Sequence, residues 1–135
     1  MTGFLLDTNV CIRLLNPTPN PVLIGKLKTI PPEQVFLSSV VKAELYFGAY
    51  RTNRREENLA LLAQFFGVFA TIPFGRDAEE IYGRLRAELA RQGTLIGPND
   101  LLIGATALAH GLTLVTHNVR EFRRLPDMQI EDWEE

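Results

Sequence analysis

The chain has 135 residues, and we predict a single domain over residues 1–135. Its 46% hydrophobic content is typical of a folded globular protein, and its net charge of −2 excludes a chain-wide basic surface. One cysteine and two histidines exclude an internal disulfide and argue against a zinc cluster. We expect no signal peptide and no membrane span, since no apolar run approaches about 20 residues. The lone cysteine favours a reducing cytoplasm.

Apolar periodicity and turn residues predict alternating strands and helices along the chain. Strands are predicted at GFLL, VFLS, ATIPF and LTLVT, with a further edge strand in MQIEDW. Helices are predicted at TNVCIRLLN, VLIGKLKTI, VVKAELYFGAYRT, RREENLALLAQFFGVF, RDAEEIYGRLRAELARQG and NDLLIGATALAHG, with a short basic helix after LTLVT. This alternation predicts an α/β domain in which helices flank a mainly parallel central sheet of four to five strands.

Polar residues interrupt apolar segments near the predicted carboxyl ends of the strands, where open parallel sheets bind ligands. Asp7 ends the first strand, and Asn118 follows the strand LTLVT. Glu44 lies one turn into a helix, and Asp100 lies in the first turn of another. Each has an ordinary explanation by itself: a helix cap, a turn residue, a solvent-facing position or a charge that complements a helix dipole.

Taken together, these residues predict a binding site for a divalent cation. Carboxylates held close together raise one another's pKa unless a cation offsets their charge. Mg²⁺ or Mn²⁺ fits such a site, because both prefer oxygen ligands and keep bound water. A metal of this kind can activate water against a phosphodiester without a nucleophilic side chain.

Four segments resemble the PIN-domain ribonucleases, and in particular the VapC-type toxins of bacterial toxin–antitoxin pairs: LLDTN, SSVVKAELYFGA, GPNDLLIGATALAHGLTLVTHNVREF and IEDW. They follow the family's order over essentially the whole chain. The resemblance implies a three-layer PIN-like fold. It also implies that Asp7, Glu44 and Asp100 bind the metal and serve catalysis.

The fourth acidic position of the family stays open between two residues. Asn118 stands where many PIN domains have an aspartate, and Glu121 would restore the missing negative charge. An ordinary alternative for Glu121 is a solvated ion pair with a nearby arginine. By resemblance, Asn9 and Thr116 support the metal ligands through hydrogen bonds. Gly104 stands where relatives commonly have alanine, which should loosen its helix slightly.

The resemblance further implies the substrate and the partners. The substrate is RNA, with tRNA favoured, cut by a metal-activated water to leave a 5′-phosphate. The partners are a cognate antitoxin, held in a groove lined by aromatic residues, and a second copy of the chain. Candidate contacts for the antitoxin or the RNA are Tyr46, Tyr50, Arg84 and Arg86. Three further aromatic candidates, Phe47, Phe65 and Phe66, are expected to belong mainly to the core.

Three other functions share some of these sequence features. A haloacid-dehalogenase-like phosphatase needs a second acid two residues after Asp7, where this chain has Asn9. A response-regulator receiver needs an adjacent acid pair and a lysine at a strand end, and the sequence provides neither. A catalytically silent PIN-like module that only binds RNA or protein stays open at this point, because Asn118 leaves the site one charge short unless Glu121 contributes.

Overall fold

The structure, a computed structural model, describes residues 3–135; Met1 and Thr2 of the predicted domain lie outside the described residues. In this part of the chain, five strands form one sheet: β1 Phe4–Leu6, β2 Val35–Ser38, β3 Ala70–Ile72, β4 Thr113–Val115 and β5 Ile130–Glu131. Their order is β3-β2-β1-β4-β5, and every neighbouring pair is parallel. This confirms the predicted parallel sheet, including its edge strand near the carboxyl terminus.

Within the described residues, seven α-helices cover the sheet: α1 Thr8–Leu15, α2 Pro21–Lys28, α3 Ser39–Tyr50, α4 Arg55–Phe66, α5 Arg76–Gln92, α6 Pro98–His110 and α7 Val119–Phe122. A 3-10 turn over Pro32–Gln34 was not predicted. Helix α4 ends at Phe66, three residues earlier than predicted, and Phe69 beyond it is buried. The predicted stops of α5 and α6 are confirmed, because Gly93 and Gly111 cap these helices in the left-handed conformation.

The centre of the sheet is buried on both faces, which is why its strands consist of consecutive apolar residues. Leu5, Leu37 and Leu114 are fully buried on the three central strands. Within residues 3–135, no helix is long and apolar enough to cross a bilayer. These rigid strands fix the positions of the polar residues that follow them.

Two glycines in helices have opposite surroundings, and the contrast predicts opposite effects of alanine. A Cβ at Gly104 would lie 2.6 Å from Leu125 Cδ1 and 3.3 Å from Met128 Cε. Gly104 is therefore a close-packing position between α6 and the segment after α7, in addition to a weak helix former. A Cβ at Gly83, on the exposed face of α5, would meet nothing within 4 Å.

We expect Gly83→Ala to stabilise the protein by about 1 kcal/mol, since alanine is the better helix former. Gly104→Ala should destabilise it by about 1 kcal/mol, because overpacking the buried Leu125 outweighs the same gain. Urea unfolding of both variants beside the parent measures the two effects. Equal stabilisation by both substitutions would show that Leu125 moves aside at no cost.

Candidate active site

The carboxyl ends of three neighbouring strands and the start of one helix build the candidate site. Asp7 follows β1, the central strand, and its N–H donates to Val115 O at 3.1 Å. Thr116 follows β4 on one side of β1, and α3 follows β2 on the other and carries Glu44. Asp100 lies in the first turn of α6. The edge predicted from the sequence therefore brings these side chains together.

Asp7 is both a helix cap and the buried centre of the site. Its Oδ1 accepts the Val10 N–H at 2.9 Å, which caps α1, and its Oδ2 accepts the Thr116 hydroxyl at 2.5 Å. The Asn118 N–H in turn donates to Thr116 Oγ1 at 2.9 Å. Burial raises the pKa of Asp7, and the hydrogen bonds from Thr116 and Val10 partly oppose this rise. The predicted support from Thr116 is thus present as a direct contact.

Glu44 is oriented by a residue that the sequence did not single out. The Thr8 hydroxyl donates to Glu44 Oε1 at 2.8 Å and so joins the start of α1 to α3. Asn9, which was expected to give such support, is exposed, and no side-chain hydrogen bond of Asn9 to these carboxylates occurs among residues 3–135. The supporting contact comes from Thr8 instead. The only sign of this role in the sequence is that Thr8 directly follows Asp7.

Asn118 and Glu121 form one hydrogen-bonded unit beside Asp100. Glu121 Oε1 accepts the Gly97 N–H at 2.9 Å, and its Oε2 accepts the Asn118 Nδ2 at 2.7 Å. A Cβ at Gly97 would lie 3.7 Å from Asp100 Oδ2 and 3.8 Å from Glu121 Oε1, so both carboxylates border the same glycine. The ion pairs found among residues 3–135 include none between Glu121 and Arg120 or Arg124. The solvated ion pair considered as an alternative for Glu121 is therefore not formed.

Asp100 has the most informative electrostatics of the group. Its pKa is raised to about 6, first by partial burial and then by the negative charges of Glu121, Asp7 and Glu44. All three neighbours are acids proposed for the same site. The charge of each of these three carboxylates therefore acts on Asp100, which means that all three lie close enough to repel it.

We expect Glu121→Gln to lower the pKa of Asp100 from about 6 towards the ordinary value near 4, because it removes the largest opposing charge. Carboxyl-carbon NMR titration of metal-free protein measures this pKa directly. Glu79→Gln removes the same charge from the exposed first turn of α5 and should leave the pKa unchanged. If the Asp100 pKa is equal in the parent and in Glu121→Gln, the two carboxylates do not interact.

The donor set fits a hard divalent cation. Its ligand atoms are carboxylate and amide oxygens, and the mutual repulsion seen at Asp100 is what a cation would relieve. The four predicted acids are nevertheless spaced too widely for three of them to meet within 4.8 Å. Since Mg²⁺ usually keeps several waters, one or two direct carboxylate ligands suffice for binding.

One group of three side chains within residues 3–135 does have that closer spacing, and it lies outside the predicted site. His117, Asp132 and Glu135 offer ligand atoms within 4.8 Å of one another at the ends of β4 and β5. The group is largely exposed, and His117 Nδ1 lies 2.9 Å from Asp132 Oδ2. These side chains border a cleft of about 680 Å³ together with Arg120 and Arg123.

The candidate contact residues lie on two different helices. On α3, Tyr46, Phe47 and Tyr50 are 42%, 63% and 54% exposed. The expectation that Phe47 belongs to the core is therefore wrong, whereas Phe65 and Phe66 are partly buried against the core. On α5, Arg84 lies 3.7 Å from Glu80, and Arg86 donates to the Tyr82 hydroxyl at 2.7 Å.

A groove of about 390 Å³ lies between α1, α3 and α4, with Glu44 on its wall. The groove is lined mainly by aliphatic side chains: Ile12, Leu15, Leu45, Leu61 and Leu62. The aromatic candidates of α3 do not line it. Within residues 3–135, this aliphatic groove and the exposed aromatic face of α3 are thus two separate features.

Comparison with known proteins gives matches over nearly the full length. The PIN domain family model matches residues 4–128. Ribonuclease VapC2 of Rickettsia felis is 38% identical, with 97% of this chain and 98% of the relative aligned. The tRNA(fMet)-specific endonuclease VapC of Salmonella typhimurium is also 38% identical, over 98% and 99% of the two chains. The crystal structure of DNA-bound VapBC from Salmonella typhimurium contains a chain with a TM-score of 0.92 and 37% identity, covering 98% and 99%.

Proposed function

This chain belongs to the PIN-domain family, among the VapC ribonucleases, and we propose that it hydrolyses RNA phosphodiester bonds with the help of Mg²⁺ or Mn²⁺. The observation that carries this proposal is the position of Asp100 among other acids: burial raises its pKa first, and the negative charges of Glu121, Asp7 and Glu44 raise it further. Such an arrangement is unfavourable by itself and becomes favourable around a cation. It speaks for an enzyme rather than a silent binding module, because mere binding of RNA gains nothing from clustered negative charge.

The side chains of the site divide the work between binding and orientation. Asp7, Glu44 and Asp100 would hold the metal, with Asn118 and Glu121 at the fourth position. When bound there, a divalent cation lowers the pKa of a coordinated water and offsets charge at the scissile phosphate. Thr116 and the Val10 N–H fix both oxygens of Asp7, and Thr8 fixes Glu44. These contacts hold the carboxylates in place before RNA arrives.

We propose tRNA as the RNA substrate. The support is the 38% identical Salmonella typhimurium relative, which is named a tRNA(fMet)-specific endonuclease. Cleavage should leave a 5′-phosphate, and the reaction would take place in the cytoplasm. We also propose that the chain works as a homodimer.

We propose that a cognate antitoxin neutralises the enzyme by occupying the aliphatic groove beside Glu44. The neighbouring solved structures are toxin–antitoxin complexes, such as VapBC from Salmonella typhimurium and VapBC2 from Rickettsia felis. The groove suits an apolar protein segment, and Glu44 on its wall connects it to the carboxylates. An occupant of this groove would thus lie against the site that it inhibits.

Cleavage of RNA by the purified chain, freed of antitoxin, tests the proposed function. We expect bulk tRNA to be cut into products with 5′-phosphates when Mg²⁺ or Mn²⁺ is present, and to stay intact in EDTA. Adding back the co-purified antitoxin should stop the reaction. Absence of cleavage with either metal on tRNA, ribosomal RNA and messenger RNA would overturn the proposal in favour of a silent binding module.

A further inference from the structure

Helix α3 carries an aromatic row, which we define as Tyr46, Phe47 and Tyr50. Tyr50 lies four residues after Tyr46 and three after Phe47, so its ring is a neighbour of both along one exposed side of the helix. Gly48 and Ala49, which line the aliphatic groove, face a different side. The row therefore forms a surface of its own, separate from the groove proposed for the antitoxin.

Positively charged side chains lie beside the aromatic row. The Arg51 guanidinium lies 4.9 Å from the centre of the Phe47 ring, and the Arg55 guanidinium lies 5.6 Å from the centre of Tyr50. Lys42 lies 4.7 Å from the ring of Phe66, which packs edge-on against Tyr46 at 5.3 Å. Three of the four cation–aromatic contacts found among residues 3–135 thus gather at this surface.

The charges of these cations are not balanced by carboxylates. Arg54 pairs with Glu57 at 2.8 Å, but the described ion pairs of residues 3–135 include none of Lys42, Arg51 or Arg55. Arg55 donates to the carbonyl oxygen of Tyr50, which holds it beside the ring. A protein partner with an apolar surface would have to desolvate these charges, whereas phosphates would pair with them.

The row also lies within reach of the candidate active site. Tyr50 is six residues beyond Glu44 on the same helix, which corresponds to about 9 Å along the helix axis. Stacked nucleotides advance about 3.4 Å each, so roughly three nucleotides span this distance. An RNA strand cut at the carboxylates can therefore continue onto the row.

We infer that the aromatic row is an RNA-docking surface, where unpaired bases stack on Phe47 and Tyr50 and their phosphates pair with Arg51 and Arg55. This inference rests on the proposed ribonuclease function and deepens it. Stacking needs free base faces, so the favoured substrate is a single-stranded loop rather than a duplex. The chemistry of the row thus selects an exposed loop of a structured RNA.

Binding of a labelled RNA hairpin in EDTA, where cleavage does not occur, tests the inference. Phe47→Leu combined with Tyr50→Leu keeps apolar side chains at exposed positions and removes both rings. We expect at least about tenfold weaker binding of the hairpin loop. Binding to the fully paired duplex of the same stem should not change. Val22→Leu, at an exposed apolar position on α2, is the matched control and should bind as the parent does.

The phosphate contacts have a separate readout in the salt dependence of binding. Arg51→Gln with Arg55→Gln should reduce the slope of log affinity against log salt by about 1.4, since each contact with a single strand contributes about 0.7. Lys26→Gln with Lys28→Gln on α2 removes the same charge away from any ring and should leave the slope unchanged.

The results separate this inference from the proposed function. If the parent cleaves RNA and the row variants bind and cleave equally well, the inference fails and the proposed function stands. If the row variants keep RNA binding but lose the antitoxin or change oligomeric state, the row is a protein interface and the inference is overturned. A parent that neither binds nor cleaves RNA overturns both.

Discussion

Asp7→Asn is expected to reduce RNA cleavage at least about a hundredfold while leaving the fold intact. Asparagine has nearly the same volume and is as good a helix cap as aspartate, so the hydrogen bond from the Val10 N–H can persist. The amide Nδ2 would replace the oxygen that accepts the Thr116 hydroxyl, and it can donate to Thr116 Oγ1 instead. What the substitution removes is the one negative charge held at the buried centre of the site. The loss should therefore appear in the rate and not in the free energy of unfolding.

The measurement is the cleavage rate of tRNA in Mg²⁺ by parent and variant, with urea unfolding of both proteins. Asp127→Asn is a matched control, because it makes the same chemical change at an exposed residue whose left-handed backbone asparagine tolerates well. Cleavage by Asp7→Asn at the parental rate would contradict the assignment of Asp7 to the site. A fall in rate together with a large fall in stability would instead indicate a structural role.

The order and type of the elements could be predicted because each strand and helix carries its own local pattern. β1 and β4 are short apolar runs, and α5 shows helical spacing that stops at Gly93. The end of α4 was predicted less well. Apolar residues continue through Phe69, and periodicity does not distinguish the last helical turn from the buried loop that follows.

The position of the candidate acids at one edge of the sheet could be predicted from the sequence, since they follow strand ends or begin helices and parallel strands end at a common edge. Their supporting contacts could not. Thr8 reaches Glu44 across 36 positions of sequence, and Glu121 reaches a backbone N–H at Gly97 across 24. Such contacts depend on how helices are placed on the sheet and on side-chain rotamers, neither of which leaves a local pattern.

Exposure on α3 shows a second limit of sequence patterns. The helix is apolar on almost every side, so hydrophobicity alone assigned Phe47 to the core, although 63% of it is exposed. An apolar side chain can face the core or a partner, and only the fold decides between these two environments. The exposed rings of α3 are therefore informative about binding, because much of their surface does not contact the core.

The stability of the metal-free protein should fall as the pH rises through the titration of Asp100. Its pKa is about 6 in the folded protein and near the ordinary 3.8 in the unfolded chain. Between about pH 4 and pH 6 the folded state holds a proton that the unfolded state has lost, so raising the pH favours unfolding. The contribution of Asp100 is present in full below pH 4 and is lost above pH 6. With allowance for its partial exposure, we expect a loss of about 1 kcal/mol.

Asp100→Asn removes this contribution together with the repulsion between Asp100 and the neighbouring carboxylates Glu121, Asp7 and Glu44. In EDTA, the variant should match the parent near pH 4 and exceed its free energy of unfolding by about 1 kcal/mol at pH 7. Mg²⁺ should reverse the order at pH 7, since a cation that binds only the folded parent adds stability by mass action. Urea unfolding across this pH range, with and without Mg²⁺, gives both results. Parallel pH profiles and equal stabilisation by Mg²⁺ in the two proteins would show that Asp100 does not belong to the carboxylate site. If the variant is instead the more stable protein in EDTA and the less stable one in Mg²⁺, the metal relieves the repulsion between Asp100 and its neighbouring carboxylates.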